Sequence, residues 1–337
     1  MSPRKYEVDP TKGRFDVEWP LFGELSRALA LKVARSFDPE IVVGIATAGS
    51  LLSQGLAGRL TLYDRSGDKA QGEALDYLHA MPLLPSTEVR GRSFDDVEAE
   101  DVLVITVGKH TEAGQSRLDV LRENLEVMAT TADAIERGAL PRIAIVVTNP
   151  LDVLTEYLTR RWAREPISVM GSGTSLDTLR FTELLARECG VHPRSVHAWV
   201  VGEHGDSSVF LFSGARVGAM ALADFASQRG IDLTPDWYSR IEGDVRSAAY
   251  RVRERTGAPR HGIGLTVSGL VRCIGREAGT LIPVSVRVAR DVCASLPCAL
   301  GPDGAGEPLM PTMNEGELAA WERSLAVLRA ANEILPI

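Results

Sequence analysis

The run Gly202-Glu203-His204-Gly205-Asp206-Ser207 sets one imidazole between two glycines, directly after the β-rich stretch Ser195-Val196-His197-Ala198-Trp199-Val200-Val201. A histidine on a tight turn at a strand end faces a cleft more readily than a core. Upstream stands Ser175-Leu176-Asp177-Thr178-Leu179-Arg180-Phe181. Asp177 and Arg180 share one helical face at this spacing. A carboxylate beside the ring favours imidazolium, moving a group of reference pKa about 6.5 toward a usable acid near neutrality. Arg180 offers a planar fork that suits a carboxylate. The set reads as a proton donor, its orienter and a carboxylate clamp. Taken singly, a histidine between glycines is a turn residue and an Asp-x-x-Arg pair a solvated one. The functional reading gains its weight from the other motifs and their order.

Those residues need a scaffold. Residues 1–39 read as an irregular polar arm followed by an amphipathic helix over 19–37, with Leu21, Leu25, Leu29 and Val33 at helical spacing. From residue 40 the pattern alternates. Short apolar strands are expected at 41–43, 60–63, 87–89, 102–105 and 143–147, and helices at 50–59, 68–80 and 117–137. Continuous apolar strands between helices imply a parallel sheet covered on both faces, so 40–168 reads as a doubly wound, Rossmann-type α/β dinucleotide-binding domain. The rhythm then changes. Strand pairs at 196–201 and 209–212, helices at 235–255 and 265–278, strands around 283–290 and a closing helix at 315–335 suit an α+β catalytic domain over 169–337.

After the first strand comes Gly44-Ile45-Ala46-Thr47-Ala48-Gly49, which is G-x-A-x-x-G, one residue short of the dinucleotide fingerprint. Ala46 adds a methyl group where backbone normally approaches a pyrophosphate. Asp64 ends the next strand, where an acid hydrogen-bonds ribose hydroxyls and repels a 2′-phosphate, so NAD is favoured over NADP. Asn149 stops a strand at the carboxyl edge of the sheet, where nicotinamide and substrate would meet.

Bulk composition narrows the classes. Apolar residues make up 45% and charged residues 24% of the 337, with a net charge of −8. That suits a globular protein with a sizeable core and argues against a nucleic-acid surface. No apolar run approaches the roughly 20 residues that span a bilayer, and the amino terminus lacks the apolar core of a secretory signal. Cys189, Cys273, Cys293 and Cys298 have neither metal-ligand spacing nor disulfide-rich density. No metal is expected, and the cytoplasm with reduced thiols is the expected setting.

The ordered markers Gly44 to Gly49, Asp64, Gly114-Gln115-Ser116-Arg117-Leu118, Thr148-Asn149-Pro150-Leu151-Asp152, Gly171-Ser172-Gly173-Thr174-Ser175-Leu176-Asp177, Arg180 and Gly202 to Ser207 resemble the lactate/malate dehydrogenase family. The likeness covers about 41–335, and Pro297-Cys298-Ala299-Leu300-Gly301 is similar to the lactate, or 2-hydroxyacid, branch. The resemblance implies an NAD-dependent oxidoreductase interconverting a 2-hydroxy acid and its 2-oxo acid, working as a homodimer or homotetramer. It implies His204 as proton donor and acceptor at the substrate C2 oxygen, Asp177 as its partner, and Arg180 as the clamp on the C1 carboxylate. It also implies that Arg117, on the glycine-bearing loop 108–118, closes over substrate and polarises the carbonyl.

Three departures from the family bear on cofactor and substrate. Ala46 is the first, and is expected to weaken cofactor binding without forbidding it. Six residues before Arg117, lactate enzymes resemble one another in carrying glutamine and malate enzymes arginine; here stands Thr111, with Lys109 and His110 nearby. Pro259 stands where the lactate branch has a pocket-lining threonine. A reshaped pocket and a non-standard 2-oxo acid, with a longer side chain, follow from these two positions. Arg260 and His261 are either recognition groups for a polar substituent or surface charges near a helix start. Thr182 replaces an arginine that accompanies His197 in sugar-bisphosphate-activated relatives, so no such activation is expected. Two alternatives remain: malate dehydrogenase, disfavoured by Thr111, and a catalytically reduced nucleotide-binding homologue.

Overall fold

Val102-Leu103-Val104-Ile105 and Ile143-Ala144-Ile145-Val146 carry no polar side chain, and every one of these residues is buried. Strands apolar on both faces must be covered on both faces. The computed structural model, which describes residues 40–43, 45–98, 100–108, 117–256 and 259–336, meets that requirement. The arm and helix expected over 1–39 lie outside the described residues.

In chain order the first half runs β1 (Glu40–Val43), α1 (Ile45–Ser53), β2 (Arg59–Asp64), α2 (Gly67–Ala80), β3 (Glu88–Ser93), β4 (Val102–Ile105), α3 (Arg117–Gly138), β5 (Ile143–Val146), α4 (Leu151–Arg161) and β6 (Ser168–Gly171). The second half has α5 (Ser175–Cys189), β7 (Val196–His197), β8 (Val200–Val201), β9 (Val209–Phe210), β10 (Arg216–Val217) and β11 (Met220–Ala221). It continues with α6 (Leu222–Arg229), α7 (Pro235–Thr256), α8 (His261–Gly275), β12 (Thr280–Ala289), β13 (Val292–Gly301), β14 (Gly304–Ala305) and α9 (Glu315–Asn332).

Among the described residues, nine strands form one sheet in the order β14-β13-β12-β6-β5-β4-β1-β2-β3. The pairs from β6 through β3 are all parallel. This 3-2-1-4-5-6 order is the doubly wound arrangement. β12 then adds antiparallel to β6 through Ser285 and Gly171, with β13 and β14 antiparallel beyond it. The boundary read at 168/169 falls within β6, and the sheet continues through it.

Period-2 alternation assigns the faces. Val102, Val104, Ile143 and Ile145 pack with Leu51 and Leu52 of α1 and Leu270 and Val271 of α8. Leu103, Ile105, Ala144 and Val146 pack instead with Met128 of α3, Leu154 and Leu158 of α4, and Trp321 and Leu325 of α9. A third core gathers around Phe181 and Leu185 of α5, with Phe210 and with Trp237 and Ile241 of α7. Phe181 sits edge-on to Phe210 at 5.3 Å and to Phe212 at 4.9 Å.

Several boundaries differ from the sequence reading. The helix expected at 50–59 lies at Ile45–Ser53, because it starts almost directly from β1 and Gly55, at φ +58, ends it. The strand expected across 196–201 is two short pieces, interrupted at Ala198 and Trp199. The helix expected at 265–278 lies at His261–Gly275. β13 is a ten-residue strand that the sequence reading passed over. No helix among the described residues is long and apolar enough to cross a membrane.

Candidate active site

The backbone that carries His204 is clipped to the helix that carries Asp177. Thr178 Oγ1 accepts from Val200 N–H at 3.0 Å, and the Thr174 hydroxyl donates to the Val200 carbonyl. Since β8 leads straight into the 202–205 turn, these two bonds set the register between ring and carboxylate. Gly202 exchanges two 2.9 Å backbone bonds with Ser295 of β13, and the Ser324 hydroxyl of α9 accepts from Glu203 N–H at 2.8 Å. The Glu203 carboxylate folds back onto Ser207 N–H at 2.9 Å.

Gly202 is required there. Its φ is +84, and a Cβ would come within 2.6 Å of Ser324 Oγ and 3.2 Å of Ser324 Cβ. Gly202→Ala is expected to lower unfolding free energy by about 1–3 kcal/mol, measurable by denaturant titration. A midpoint equal to that of the wild type would contradict this account of the turn.

The result is a three-residue cluster. His204 Nδ1 lies 2.6 Å from Asp177 Oδ2, and Arg180 Nη1 donates to Asp177 Oδ1 at 2.8 Å. The side chains are 24%, 11% and 19% exposed for His204, Asp177 and Arg180, so the cluster is screened from solvent yet reachable. Burial alone would lower the proton affinity of the imidazole; the adjoining Asp177 carboxylate, with Asp152 farther off, outweighs it and raises the pKa above the usual value. Burial likewise works against ionised Asp177, but His204 and Arg180 hold its carboxyl below the usual range. The protonated form of the ring is thus favoured beside a guanidinium fork. An imidazolium that donates and a fork that takes a carboxylate together suit an acid carrying a carbonyl next to its carboxylate.

Asn149 is exposed just past the end of β5, and Asn124 of α3 donates to its carbonyl at 2.7 Å. The same asparagine lies where the chain leaves β4. A Cβ on Gly108, at φ +154, would meet Thr148 Cγ2 at 2.6 Å and Asn124 Oδ1 at 3.2 Å, so only glycine threads this exit. Arg117 opens α3, but its side chain, with Lys109, His110 and Thr111, lies outside the described residues. Half-buried Pro259 precedes α8. A methyl on Gly262 in the first turn of α8 would touch Leu176 Cδ1 at 3.4 Å, which places that turn beside the Asp177 helix. Arg260 and His261 are exposed.

On the cofactor side, β1 is flanked by β2 and β4, and the chain winds away from it in both directions, a topological switch point where ligands bind outside the strand ends. Gly44 and the side chain of Ala46 lie outside the described residues. Gly49 faces Tyr77, where a Cβ would lie 3.3 Å from the phenol oxygen, so it serves the packing of α1 on α2. Asp64 ends β2 with its side chain 25% exposed. Burial would raise its pKa, but Ser66 N–H at 3.0 Å and Lys69 Nζ at 3.0 Å hold it below the ordinary value. All four cysteines are buried and unpaired, and no group of three or more His, Cys, Asp or Glu among the described residues is placed to hold a metal.

The sequence reading gave no role to Asp152, although it stood in the quoted Asn149-Pro150-Leu151-Asp152 run. It is 2% exposed, accepts from His204 N–H at 2.7 Å, and takes the Ser285 hydroxyl at 2.6 Å. A carboxylate flanked by Leu151, Val153 and Leu154 was the available signal. Ser285, Ser295 and Ser324, which also fix the turn, had none.

A family model described as lactate/malate dehydrogenase, NAD binding domain, matches residues 42–171, and a second, described as lactate/malate dehydrogenase, alpha/beta C-terminal domain, matches 174–334. The chain belongs to the lactate/malate dehydrogenase family. It is an NAD-dependent oxidoreductase acting between a 2-hydroxy acid and its 2-oxo acid. It is 41% identical to an L-lactate dehydrogenase of Thermus aquaticus over 298 residues, covering 87% of this chain and 96% of that protein. An L-lactate dehydrogenase of Allorhizobium ampelinum is 36% identical, with 86% and 94% covered. Among solved structures, a lactate dehydrogenase from a Medee basin deep-sea metagenome library superposes with a TM-score of 0.81 at 29% identity, covering 88% of this chain and 98% of that one. For this dehydrogenase, the switch-point crevice and a partly exposed, ionised Asp64 at the end of β2 fit NAD: the carboxylate keeps lone pairs for ribose hydroxyls beside those taken by Ser66 and Lys69.

Proposed function

We propose that this dehydrogenase is of the L-lactate type, acting on a monocarboxylic 2-oxo acid in a pocket reshaped at Thr111 and Pro259. The reading is carried by the two-sided grip on Asp177: His204 Nδ1 at 2.6 Å on one oxygen and Arg180 at 2.8 Å on the other. With Nδ1 engaged, Nε2 is the nitrogen left to exchange a proton with the C2 oxygen of substrate. In reduction the ring gives its proton to the oxygen that becomes the hydroxyl; in oxidation it takes that proton back. Arg180 holds the C1 carboxylate by two parallel bonds, and Asp177 stabilises the imidazolium. Arg117, at the start of α3, polarises the carbonyl, and Asn149 lines the crevice at the strand end. When bound, the cofactor would supply the hydride to C2 as NADH in reduction and accept it as NAD in oxidation. Gly44 and Ala46, where β1 meets α1, would flank its pyrophosphate, Gly49 would serve that site by letting α1 pack closely on Tyr77, and Asp64 would hold its adenosine ribose. The enzyme works in the cytoplasm as a homodimer or homotetramer.

The relatives named L-lactate dehydrogenase support this type over malate dehydrogenase, as does Thr111 in place of a guanidinium. Steady-state NADH oxidation across pyruvate, longer and branched monocarboxylic 2-oxo acids and oxaloacetate tests it. A longer monocarboxylic acid is expected to match or exceed pyruvate in kcat/KM, and oxaloacetate to fall roughly tenfold or more below, because Thr111 stands in place of the guanidinium that malate enzymes carry for the second carboxylate. A preference for oxaloacetate would overturn the type, and a clear preference for pyruvate would overturn the reshaped pocket.

A further inference from the structure

Asp152 occupies an expensive position. It is a carboxylate buried in α4, between the two halves of the chain, with only neutral donors in contact, His204 N–H and the Ser285 hydroxyl. Burial pushes its pKa up to about 6, the two donors offsetting part of that cost. An asparagine would serve a tether equally well: its oxygen accepts from His204 N–H, and its amide donates to Ser285 Oγ. Fold alone therefore gives no reason for a charge here, whereas a ring that carries a proton during turnover does.

We propose that Asp152 is a positioning residue for the acid/base imidazole, tying the His204 backbone to α4 and β12 and supplying a second negative charge that helps the ring keep its proton. The proposal rests on the reading of His204 as the proton-exchanging group. Geometry carries the tether. Asp152 lies three residues beyond Asn149, in the first turn of α4, where the helix dipole tolerates a carboxylate. Its Oδ2 reaches the turn that holds the ring, and its Oδ1 reaches Ser285, which pairs with Gly171 at the junction of β6 and β12. One side chain thus joins the strand end beside the nicotinamide crevice to the turn that presents the proton. Among the described residues the charged groups facing this assembly are few. Asp177 and Arg180 approach the ring from α5, Glu203 stands beside it on the turn and is folded onto Ser207, and Asp152 approaches from α4. Asp177 acts on the ring through Nδ1, and Asp152 through the backbone and through space.

The test is the pH profile of Asp152→Asn, measured alongside wild type and His204→Asn, with NADH binding by fluorescence as the control for folding. Asp152→Asn keeps the shape and the tether and removes the charge. The midpoint of the pH-dependent limb of kcat for 2-oxo acid reduction is expected to fall by about one pH unit, a tenfold weaker hold on the proton. At pH above that midpoint kcat drops in proportion, while KM for the 2-oxo acid, set by Arg180, stays within about twofold. Should the amide not be tolerated, Asp152→Ser, smaller and neutral, is read in the same way. An unmoved midpoint overturns the proposal, whether kcat is retained or lost, since loss without a shift marks a structural tether only. If His204→Asn loses turnover while Asp152→Asn keeps the wild-type midpoint, only this proposal fails. If His204→Asn turns over normally, the acid/base reading fails and this proposal with it.

Discussion

His204→Asn is expected to reduce kcat for the 2-oxo acid by about two to four orders of magnitude, the span removed with a positioned general acid, equivalent to about 2.7–5.4 kcal/mol of barrier. The ring is gripped at Nδ1 by Asp177 at 2.6 Å, and in the proposed mechanism it carries the proton that the reaction consumes. Asparagine has no proton of comparable acidity to give. NADH affinity is expected to stay within about twofold, because the cofactor crevice proposed at Asp64 and the strand ends does not depend on the ring. A variant that binds NADH normally yet fails to turn over separates lost chemistry from lost fold. Retained turnover would remove His204 from the mechanism.

Arg180→Lys is expected to raise KM and lower kcat/KM for the 2-oxo acid by roughly ten- to a hundredfold, with a smaller effect on kcat. Lysine keeps the charge but not the fork, and each charge-assisted bond to a carboxylate contributes about 1.5–3 kcal/mol. The guanidinium rests on Asp177 Oδ1 at 2.8 Å, so it is held on α5 before substrate arrives and loses little freedom on binding. A lysine ammonium at the end of a flexible stem would meet the substrate carboxylate through one bond and would no longer brace Asp177. Steady-state kinetics of the variant, together with Arg180→Ala as the full deletion, measure this. An unchanged KM would place the carboxylate clamp elsewhere.

Short-range patterns carried most of what could be read in advance. Asp177 and Arg180 are three residues apart on one helix, and His204 sits in a turn bracketed by glycines, so each piece is local. The apolar strands expected at 102–105 and 143–147 announced a sheet covered on both faces, and Asp64 could be placed at the end of its strand by counting from Gly44. What escaped was non-local. Asp152 meets Ser285 across 133 positions and His204 across 52, and no spacing rule connects such partners. Ser295 and Ser324 hold the turn but look like ordinary small polar residues in a strand and a helix. β13 was missed because Pro297 reads as a strand breaker; in the fold it stands opposite Pro283 in an antiparallel pair. The first helix was placed too late because Thr47 and Gly49 weaken its propensity, and tertiary packing of Ala48, Leu51 and Leu52 overrides that weakness.

The central claim is that one imidazole, raised in pKa by Asp177, moves the substrate proton in both directions. The measurement that tests it most directly is the pair of pH profiles of kcat/KM, one for reduction with NADH bound and one for oxidation with NAD bound. Reduction needs the ring protonated, so its rate should be full at low pH and decline as pH rises through a midpoint above 6.5, the ordinary imidazole value. Oxidation needs the neutral ring, so its rate should climb through the limb that titrates the same group. Both limbs should vanish in His204→Asn. Parallel profiles in the two directions, or a limb that survives in that variant, would contradict the account.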